Sequence, residues 1–216
     1  MSLRRTVVIL AVGVAVASAG LILTRHMIAV AGEMDAERLN RSILEYIAQK
    51  NPRAPLGAFQ RFPEVLMAEA ARTNIDHCLA LAQAEVESEF KQDAVGAAGE
   101  IGIFQIKPTT AAIFEPLAGT FKRPVMTGPN KDLGDLADPV VSTRFAMAYL
   151  RDIMTRKSNV KDALIEYNGG PAGRHPHYYR VVMGTYVEVL ERQELRCRFR
   201  ETPKPMPTVT TLLSRA

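Results

Sequence analysis

Three glutamates at alternate positions of one predicted helix are the residues best suited to acid–base chemistry: Glu85, Glu87 and Glu89. Each two-residue step along a helix turns by about 200°, so the three side chains cannot share one face. Glu87 lies on the side of Gln83 and Ala84, which are neutral or small. Burial raises the pKa of a carboxyl group, and an acid still protonated near neutral pH can donate a proton in catalysis. Glu87 is therefore the candidate general acid, and the alternative is three solvated surface glutamates.

Two glycine-containing segments follow that helix in the sequence. Residues 96–102 hold three glycines, a density that predicts a tightly folded backbone passing close to another part of the molecule. A later turn, Tyr-Asn-Gly-Gly-Pro at residues 167–171, ends a short helix because glycine and proline oppose its continuation. A plain helix stop is the simplest interpretation of that turn when it is taken alone.

The elements that must position these residues are helices, and no strand pair is evident, so the predicted fold class is all-α. An amphipathic helix is expected from Glu33 to Lys50, before a connector with two prolines and a glycine. Capping residues and prolines predict six further helices, at residues 63–73, 77–90, 108–114, 139–156, 160–167 and 178–194. Residues 115–137 are interrupted by proline and glycine and predict a long irregular loop.

Several separated motifs, in this order, resemble the SLT-type lytic transglycosylase domain. They are Glu87-Ser88 with Phe90, then Gly99, Gly102 and Phe104-Gln105, then Pro108-Thr109-Thr110, then Asp138-Pro139, and finally the turn at 167–171. The resemblance covers residues 63–190. It implies a lysozyme-like helical fold that cleaves the β-1,4 bond between N-acetylmuramic acid and N-acetylglucosamine in peptidoglycan glycan strands.

The resemblance also implies a role for each matching residue. Glu87 would be the sole acid/base, closing the muramoyl C6 hydroxyl onto C1 to give a 1,6-anhydro sugar without a metal or organic cofactor. Ser88 follows it and would either contact substrate or bond back to its own helix. Gln105 would hydrogen-bond substrate near the cleaved bond, and Tyr167 and Asn168 would line the opposite wall.

Three positions near these motifs need separate treatment. The family often places a tyrosine at the start of the last helix to orient the catalytic glutamate; Tyr178 or Tyr179 could supply it, and the spacing to Val182 favours Tyr178. Phe104 stands where the family usually has methionine and keeps an apolar floor. Glu100 replaces the usual alanine, and we expect it to face solvent. If it reached Glu87 it would raise the pKa of that carboxyl and make a two-carboxylate hydrolase possible.

The N-terminus has the pattern of an export or membrane element. Arg4 and Arg5 precede an apolar or small-residue run from Thr6 to Leu23. One small-x-small cleavage site lies within this run at residues 17–19, and a second follows it at 29–31. The run is also just long enough to cross a bilayer, so an inner-membrane anchor through residues 6–23 and a cleaved signal peptide both remain open, and a buried core helix is the third interpretation. In the first two cases the bulk of the chain is periplasmic.

Cys78 and Cys197 are the two cysteines of the chain, and an exported protein meets a compartment where disulfides persist. A bridge between them is predicted, with two buried thiols as the alternative. His175 and His177 flank a proline, but no set of acidic or thiol ligands accompanies them at regular spacing, so a loop is predicted there and no metal site.

The composition excludes several other classes of function. Of 27 basic and 23 acidic residues, three arginines near the N-terminus supply most of the excess of four, so nucleic-acid binding is not supported.

The predicted organisation is a signal or anchor at residues 1–31, the amphipathic helix and connector at 32–61, the lysozyme-like domain at 62–200 and a proline-rich disordered tail at 201–216.

The predicted function is a peptidoglycan lytic transglycosylase that opens the wall locally, with a conjugation or type IV secretion complex as the partner implied by size and family. A muramidase of the same fold is the nearest alternative. A noncatalytic wall-binding scaffold of an envelope complex is the alternative from another class.

Overall fold

The computed structural model describes residues 3–157, 159–173 and 175–197, and of residues 3–23 it describes the backbone alone. The described chain is helical, with isolated bridges in place of strands, so the all-α prediction is confirmed. Over the residues described here, no helix is long and apolar enough to cross a membrane. The predicted signal or anchor at 6–23 and the tail at 201–216 fall outside the side chains that the structure describes.

Seven α-helices are described, joined by three short 3-10 turns. The helices are α1 (Leu3–Lys50), α2 (Phe62–Thr73), α3 (His77–Ser88), α4 (Pro108–Ala118), α5 (Pro139–Lys157), α6 (Val160–Gly169) and α7 (Pro176–Leu190). The 3-10 turns are Leu56–Phe59, Gly134–Ala137 and Gln193–Leu195.

The chain divides into two compact units, the first ending at Arg41 and the second beginning at Ser42. The division falls inside α1 and not near residue 62, because Ile43, Tyr46 and Ile47 on the last turns of that helix are buried within the second unit. No proline interrupts the sequence before Pro52, which is consistent with one continuous helix in place of the shorter one predicted from Glu33.

Prolines and acidic caps begin the helices much as the sequence predicts. Asp76 caps α3 by accepting a hydrogen bond from the backbone N–H of Cys78 at 3.2 Å, and Asp138 caps α5 by accepting one from Val140 at 2.7 Å. Several helix ends differ from the prediction: α7 ends at Leu190 and not at residue 194, and α4 continues past Phe114 to Ala118. Pro116 removes one hydrogen bond in its final turn but does not stop the helix earlier.

The core surrounds α5 and α3. The α5 helix contributes fully buried residues such as Phe145 and Ile153 and packs against α2, α4 and α6, whereas α3 lies along α7. Every residue of α3 from His77 to Ala84 is buried. A helix enclosed on all sides is a core helix, so Glu87 at its end is held by a rigid element.

A disulfide joins Cys78 at the start of α3 to Cys197 beyond α7, with a Cα–Cα distance of 5.6 Å. The ring of His77 also contacts the carbonyl oxygen of Leu195 at 2.8 Å. The segment after α7 is therefore fastened to the N-terminal end of the helix that carries Glu87.

Candidate active site

A cleft of about 660 Å³ lies beside the C-terminal end of α3. Its walls come from the end of α3, the loop after it, the start of α4, and parts of α5, α6 and the turn before α7. The lining residues are Glu87, Glu100, Gln105, Ile106, Lys107, Thr110, Tyr149, Tyr167, Asn168, Gly169, Gly170, Pro171 and His175.

Glu87 is the candidate acid of this cleft. The hydroxyl of Tyr178 donates a hydrogen bond to its Oε1 at 2.6 Å. Burial raises the pKa of Glu87 to about 7, with a further increase from the charge of Glu100, while the hydrogen bond from Tyr178 acts in the opposite direction. A substantial fraction of the carboxyl is thus protonated near neutral pH, as a general acid requires.

Tyr178 connects α7 to the C-terminal end of α3, where Glu87 lies. Its hydroxyl accepts a hydrogen bond from Nε2 of Gln83 at 3.3 Å while it donates to Glu87. Burial raises the pKa of Tyr178 well above its ordinary value, so the phenol remains a neutral donor. Of the two tyrosines considered from the sequence, Tyr178 is the one that contacts Glu87.

The other two glutamates of the series point elsewhere, as the helical geometry predicts. Glu85 forms an ion pair with Nζ of Lys50 at 2.6 Å and accepts a short hydrogen bond from the hydroxyl of Tyr46. Glu89 is exposed and pairs with Lys91 at 2.6 Å. Lys91 therefore pairs with Glu89 and not with Glu87.

Ser88 is not among the residues that line the cleft, and its contacts favour the alternative in which its hydroxyl bonds back to its own helix. The one proton of the buried hydroxyl is shared between the carbonyl oxygens of Ala84 at 3.2 Å and of Ile103 at 3.0 Å. The helix also ends at Ser88 and not at Phe90, because Glu89 and Phe90 adopt left-handed backbone with φ of 52° and 57°. This reversal lets Phe90 enter the core and brings the following loop against α3.

Gln105 lies on that loop and lines the cleft. Its side-chain amide donates hydrogen bonds to the carbonyl oxygens of Gly102 at 2.9 Å and Ala94 at 3.2 Å. Its backbone has a φ of 47°, a conformation uncommon outside glycine that such contacts hold in place. Because the amide nitrogen is engaged with the loop, the carbonyl Oε1 is the atom that Gln105 can offer to substrate.

Gly102 explains why the loop lies so close to the rest of the domain. Its φ is 80°, and a Cβ atom at this position would lie 2.1 Å from the carbonyl oxygen of Leu136. Any larger residue would force the loop away from the 3-10 turn before α5.

Tyr167 and Asn168 both line the wall formed by the end of α6. The buried hydroxyl of Tyr167 donates to the carbonyl oxygen of Phe104 at 3.0 Å, and its ring packs on Tyr149 with centroids 5.1 Å apart. Tyr167 therefore joins the two walls and offers substrate only its ring. Asn168 is exposed and lines the cleft, and its contact with substrate stays a prediction.

Tyr149 and His175 line the cleft but were not among the predicted site residues. The sequence placed Tyr149 in the apolar stripe of a core helix, where an aromatic residue gives no separate signal. His175 precedes α7 and was assigned to a loop; only the order of the helices around the cleft brings it to this wall.

Glu100 was predicted to face solvent, and that prediction was wrong. It lines the cleft with Glu87, and its carboxylate lies 3.4 Å from Nζ of Lys107. Partial burial would raise the pKa of Glu100, but its own backbone N–H, that of Ala98 and the Lys107 ammonium lower it. The surroundings thus favour the anion at Glu100 and the protonated form at Glu87.

A single group of three potential metal ligands occurs in the described part of the chain, Asp76, His77 and Cys78. The sulfur of Cys78 is bonded to Cys197 and is not available as a thiolate ligand. Asp76 accepts hydrogen bonds from His77 and Tyr186. Burial alone would raise the pKa of Asp76, but these hydrogen bonds lower it. These contacts give Asp76 a structural role.

The fold and the cleft together define a lysozyme-like helical domain in which, among the described lining residues, Glu87 is the carboxyl group with a raised pKa. A family model, the transglycosylase SLT domain, matches residues 64–177, more than half of the chain. The chain belongs to this family.

Two solved structures illustrate the likeness. The lytic transglycosylase Slt of Pseudomonas aeruginosa, in an inactive mutant form, shares 21% identity at a TM-score of 0.50, over 74% of this chain and 30% of its own. The 70 kDa soluble lytic transglycosylase Slt70 of Escherichia coli shares 22% identity at a TM-score of 0.40, over 64% of this chain and 23% of its own. The chain spans less than a third of either protein, and the first likeness shows a common fold. A comparison with curated proteins found no match.

Proposed function

We propose that this protein is a peptidoglycan lytic transglycosylase with Glu87 as its sole acid/base. The observation that carries the proposal is the buried, partly protonated Glu87, which faces the cleft and accepts a hydrogen bond from Tyr178. Membership of the transglycosylase SLT domain family supports the reaction class. The substrate is the glycan strand of peptidoglycan.

The geometry supports a reaction in two proton transfers. Tyr178 occupies Oε1 of Glu87, so Oε2 carries the acidic proton. That proton passes to the glycosidic oxygen as its bond to C1 of the muramoyl residue breaks. The Glu87 carboxylate then takes the proton of the C6 hydroxyl while O6 bonds to C1, which closes the 1,6-anhydro ring and restores the acid.

The neighbours of Glu87 suit both halves of this cycle. Burial favours the acid that begins the reaction, and the hydrogen bond from Tyr178 stabilises the carboxylate that forms midway. Oε1 of Gln105, the exposed side chain of Asn168 and the ring of Tyr149 line the surrounding walls, where they would orient sugar hydroxyl and acetamido groups.

A muramidase of the same fold is the second candidate, because Glu100 places another carboxylate in the cleft. A hydrolase that inverts uses its second carboxylate as a base for water, and one that retains uses it as a nucleophile. Glu100 is a poor base, since Ala98 and Lys107 hold it as an anion of lowered pKa. The contacts of Glu100 with Ala98 and Lys107 therefore favour the transglycosylase over the hydrolase.

Mass spectrometry of muropeptides released from purified peptidoglycan tests the proposal. The full chain is expected to give anhydromuramoyl ends, and the Glu87→Gln variant none. Reducing ends from the parent would establish the hydrolase instead. If neither protein releases product while both bind the glycan, the noncatalytic scaffold is the correct function.

The location and partners are further proposals. Action on peptidoglycan places the enzyme in the periplasm, delivered by the signal peptide or anchor predicted at residues 6–23. Its service to a conjugation or secretion complex stays a prediction from size and family. Fractionation of cells that express the full chain, with antibody detection in membrane and periplasmic fractions, distinguishes the anchored form from the cleaved one.

A further inference from the structure

Glu100 is the charged residue of the cleft that the family resemblance does not account for, since alanine is usual at its position. It lines the same cavity as Glu87, and its side chain is 24% exposed. The negative charge of a carboxylate in the same cleft raises the pKa of Glu87 and so affects its proton.

The loop fixes the backbone on both sides of Glu100. The N–H of Gly96 donates to the carbonyl oxygen of Glu100 at 2.8 Å. Ile101, the next residue, exchanges two hydrogen bonds with Ile106, at 3.0 and 3.1 Å. Ile101 and Ile106 are both buried, so this small bridge is anchored in the core.

The carboxylate of Glu100 is fixed as well. Its Oε2 accepts a hydrogen bond from the N–H of Ala98 at 2.9 Å, and its Oε1 pairs with Lys107 at 3.4 Å. The same Oε2 lies over Gly96, where a Cβ atom would come within 2.4 Å of it. A side chain at residue 96 would therefore displace the carboxylate, and glycine leaves room for it.

Glu100 and Lys107 form an ion pair on the walls of the cleft that Glu87 also lines. Among the residues that the structure describes, the other titratable or charged side chains on these walls are Tyr149 from α5, Tyr167 from α6 and His175 before α7, and Tyr178 of α7 contacts Glu87 directly. Glu85, on the same helix as Glu87, and Glu89, directly after that helix, are paired with Lys50 and Lys91 and do not line the cleft.

On the basis of the proposed function, we propose that Glu100 is a positioning residue: its fixed carboxylate keeps the proton on Glu87 until substrate is cleaved, and Lys107 limits that effect. The negative charge of Glu100 adds to burial in raising the pKa of Glu87. Glu100 then touches no reacting atom and acts through the electrostatic field at Glu87.

The pH dependence of kcat/KM tests this role in the full-length chain. Because Glu87 must begin protonated, kcat/KM falls as pH rises through its pKa. Glu100→Gln removes the nearby negative charge, so this alkaline limb is expected to move to lower pH by about half a unit. Lys107→Met leaves Glu100 uncompensated and should move the limb to higher pH. Glu89→Gln, which removes an equally paired glutamate outside the cleft, should leave it in place.

A second measurement does not depend on activity. Carbon-13 NMR of labelled glutamate carboxyls, with the Glu87 signal assigned by its loss in Glu87→Gln, follows the titration of Glu87 directly. The midpoint is expected to fall in Glu100→Gln and rise in Lys107→Met. An unchanged midpoint in Glu100→Gln would overturn the proposal, as would loss of activity at every pH with the midpoint unmoved. A shifted midpoint in a protein that forms no anhydro product would instead refute the proposed function.

Discussion

Two glutamates of α3, two residues apart, have opposite surroundings. Glu85 is bound by the ammonium of Lys50 and the hydroxyl of Tyr46 on the last turns of α1. Glu87 receives one neutral donor, Tyr178, and shares its cleft with the anion Glu100. The same side chain on the same helix is thus paired with a cation on one face and, on the other, buried with a raised pKa that suits the proposed proton donor. The role of each carboxyl group is decided by what the neighbouring helices bring to it.

The largest expected effect comes from Glu87→Gln. The amide keeps the size of the side chain but cannot donate or accept the catalytic proton, so kcat/KM should fall by about 1,000-fold or more. Glu85→Gln, on the same helix, should change kcat/KM by no more than about threefold, because its carboxylate takes no part in proton transfer. Rates of anhydro-product release at pH 6 compare the two. Equal losses would show that the faces of α3 do not differ in function.

Removal of the disulfide tests how much the covalent link at the start of α3 contributes to the stability of the domain. The Cys78→Ser/Cys197→Ser double variant opens a loop whose ends are 119 residues apart. Its free energy of unfolding should drop by about 5 kcal/mol in the chain-entropy model. Urea denaturation of the parent and the double variant measures this. The same urea midpoint for the oxidised parent and for the double variant would contradict the prediction.

The pH dependence of stability distinguishes a buried acid from a paired anion. The folded state raises the pKa of Glu87 from 4.5 to about 7, so its contribution to stability is fully present below pH 4.5 and is lost as pH rises through 7. That loss amounts to about 3 kcal/mol between the two limits. The difference in unfolding free energy between Glu87→Gln and the parent should therefore grow in favour of the variant over this range. A difference that is constant from pH 4.5 to pH 8 would exclude the raised pKa.

Tyr178→Phe sharpens the comparison by removing the one donor on Glu87. The hydrogen bond lowers the pKa of Glu87, so its loss should shift the alkaline limb of kcat/KM to higher pH. Below that limb the rate should fall by about tenfold, since the carboxylate formed midway loses a partner. Tyr179→Phe, at the neighbouring position, is the matched control and should leave both features unchanged.

The smallest expected effect is that of Glu85→Gln on stability. The substitution leaves Lys50 and the hydroxyl of Tyr46 without their carboxylate, which should lower the free energy of unfolding by about 1 to 2 kcal/mol. Thermal melts at pH 8 measure it. Stabilisation by Glu85→Gln would mean that this network does not fasten α1 to α3.

The sequence predicted the fold well because its helix starts are marked by local chemistry. Asp76, Asp138 and the prolines at helix N-termini act through contacts only a few residues long. The separation of Glu87 from Glu85 also follows from the helix repeat alone. The end of α4 was missed because a proline in the last turn removes one hydrogen bond without ending the helix.

The site was only partly predictable, because its remaining features depend on contacts between distant residues. The sequence motif predicts Ser88 as a site residue, but its hydroxyl is hydrogen-bonded to the carbonyl oxygen of Ile103 on the loop. The sequence predicts Glu100 as a surface charge, but the same loop places it on the cleft wall, where it contacts the N–H of Ala98 and the ammonium of Lys107. Neither pattern can be obtained from spacing along the chain.

The central claim is that Glu87 closes the C6 hydroxyl onto C1 without water. Mass spectrometry of muropeptides released by the full chain in water labelled with heavy oxygen tests it most directly. The account predicts anhydromuramoyl products that carry no label from the solvent, and none of them from Glu87→Gln. Labelled reducing ends at the cleaved muramoyl residue would contradict it.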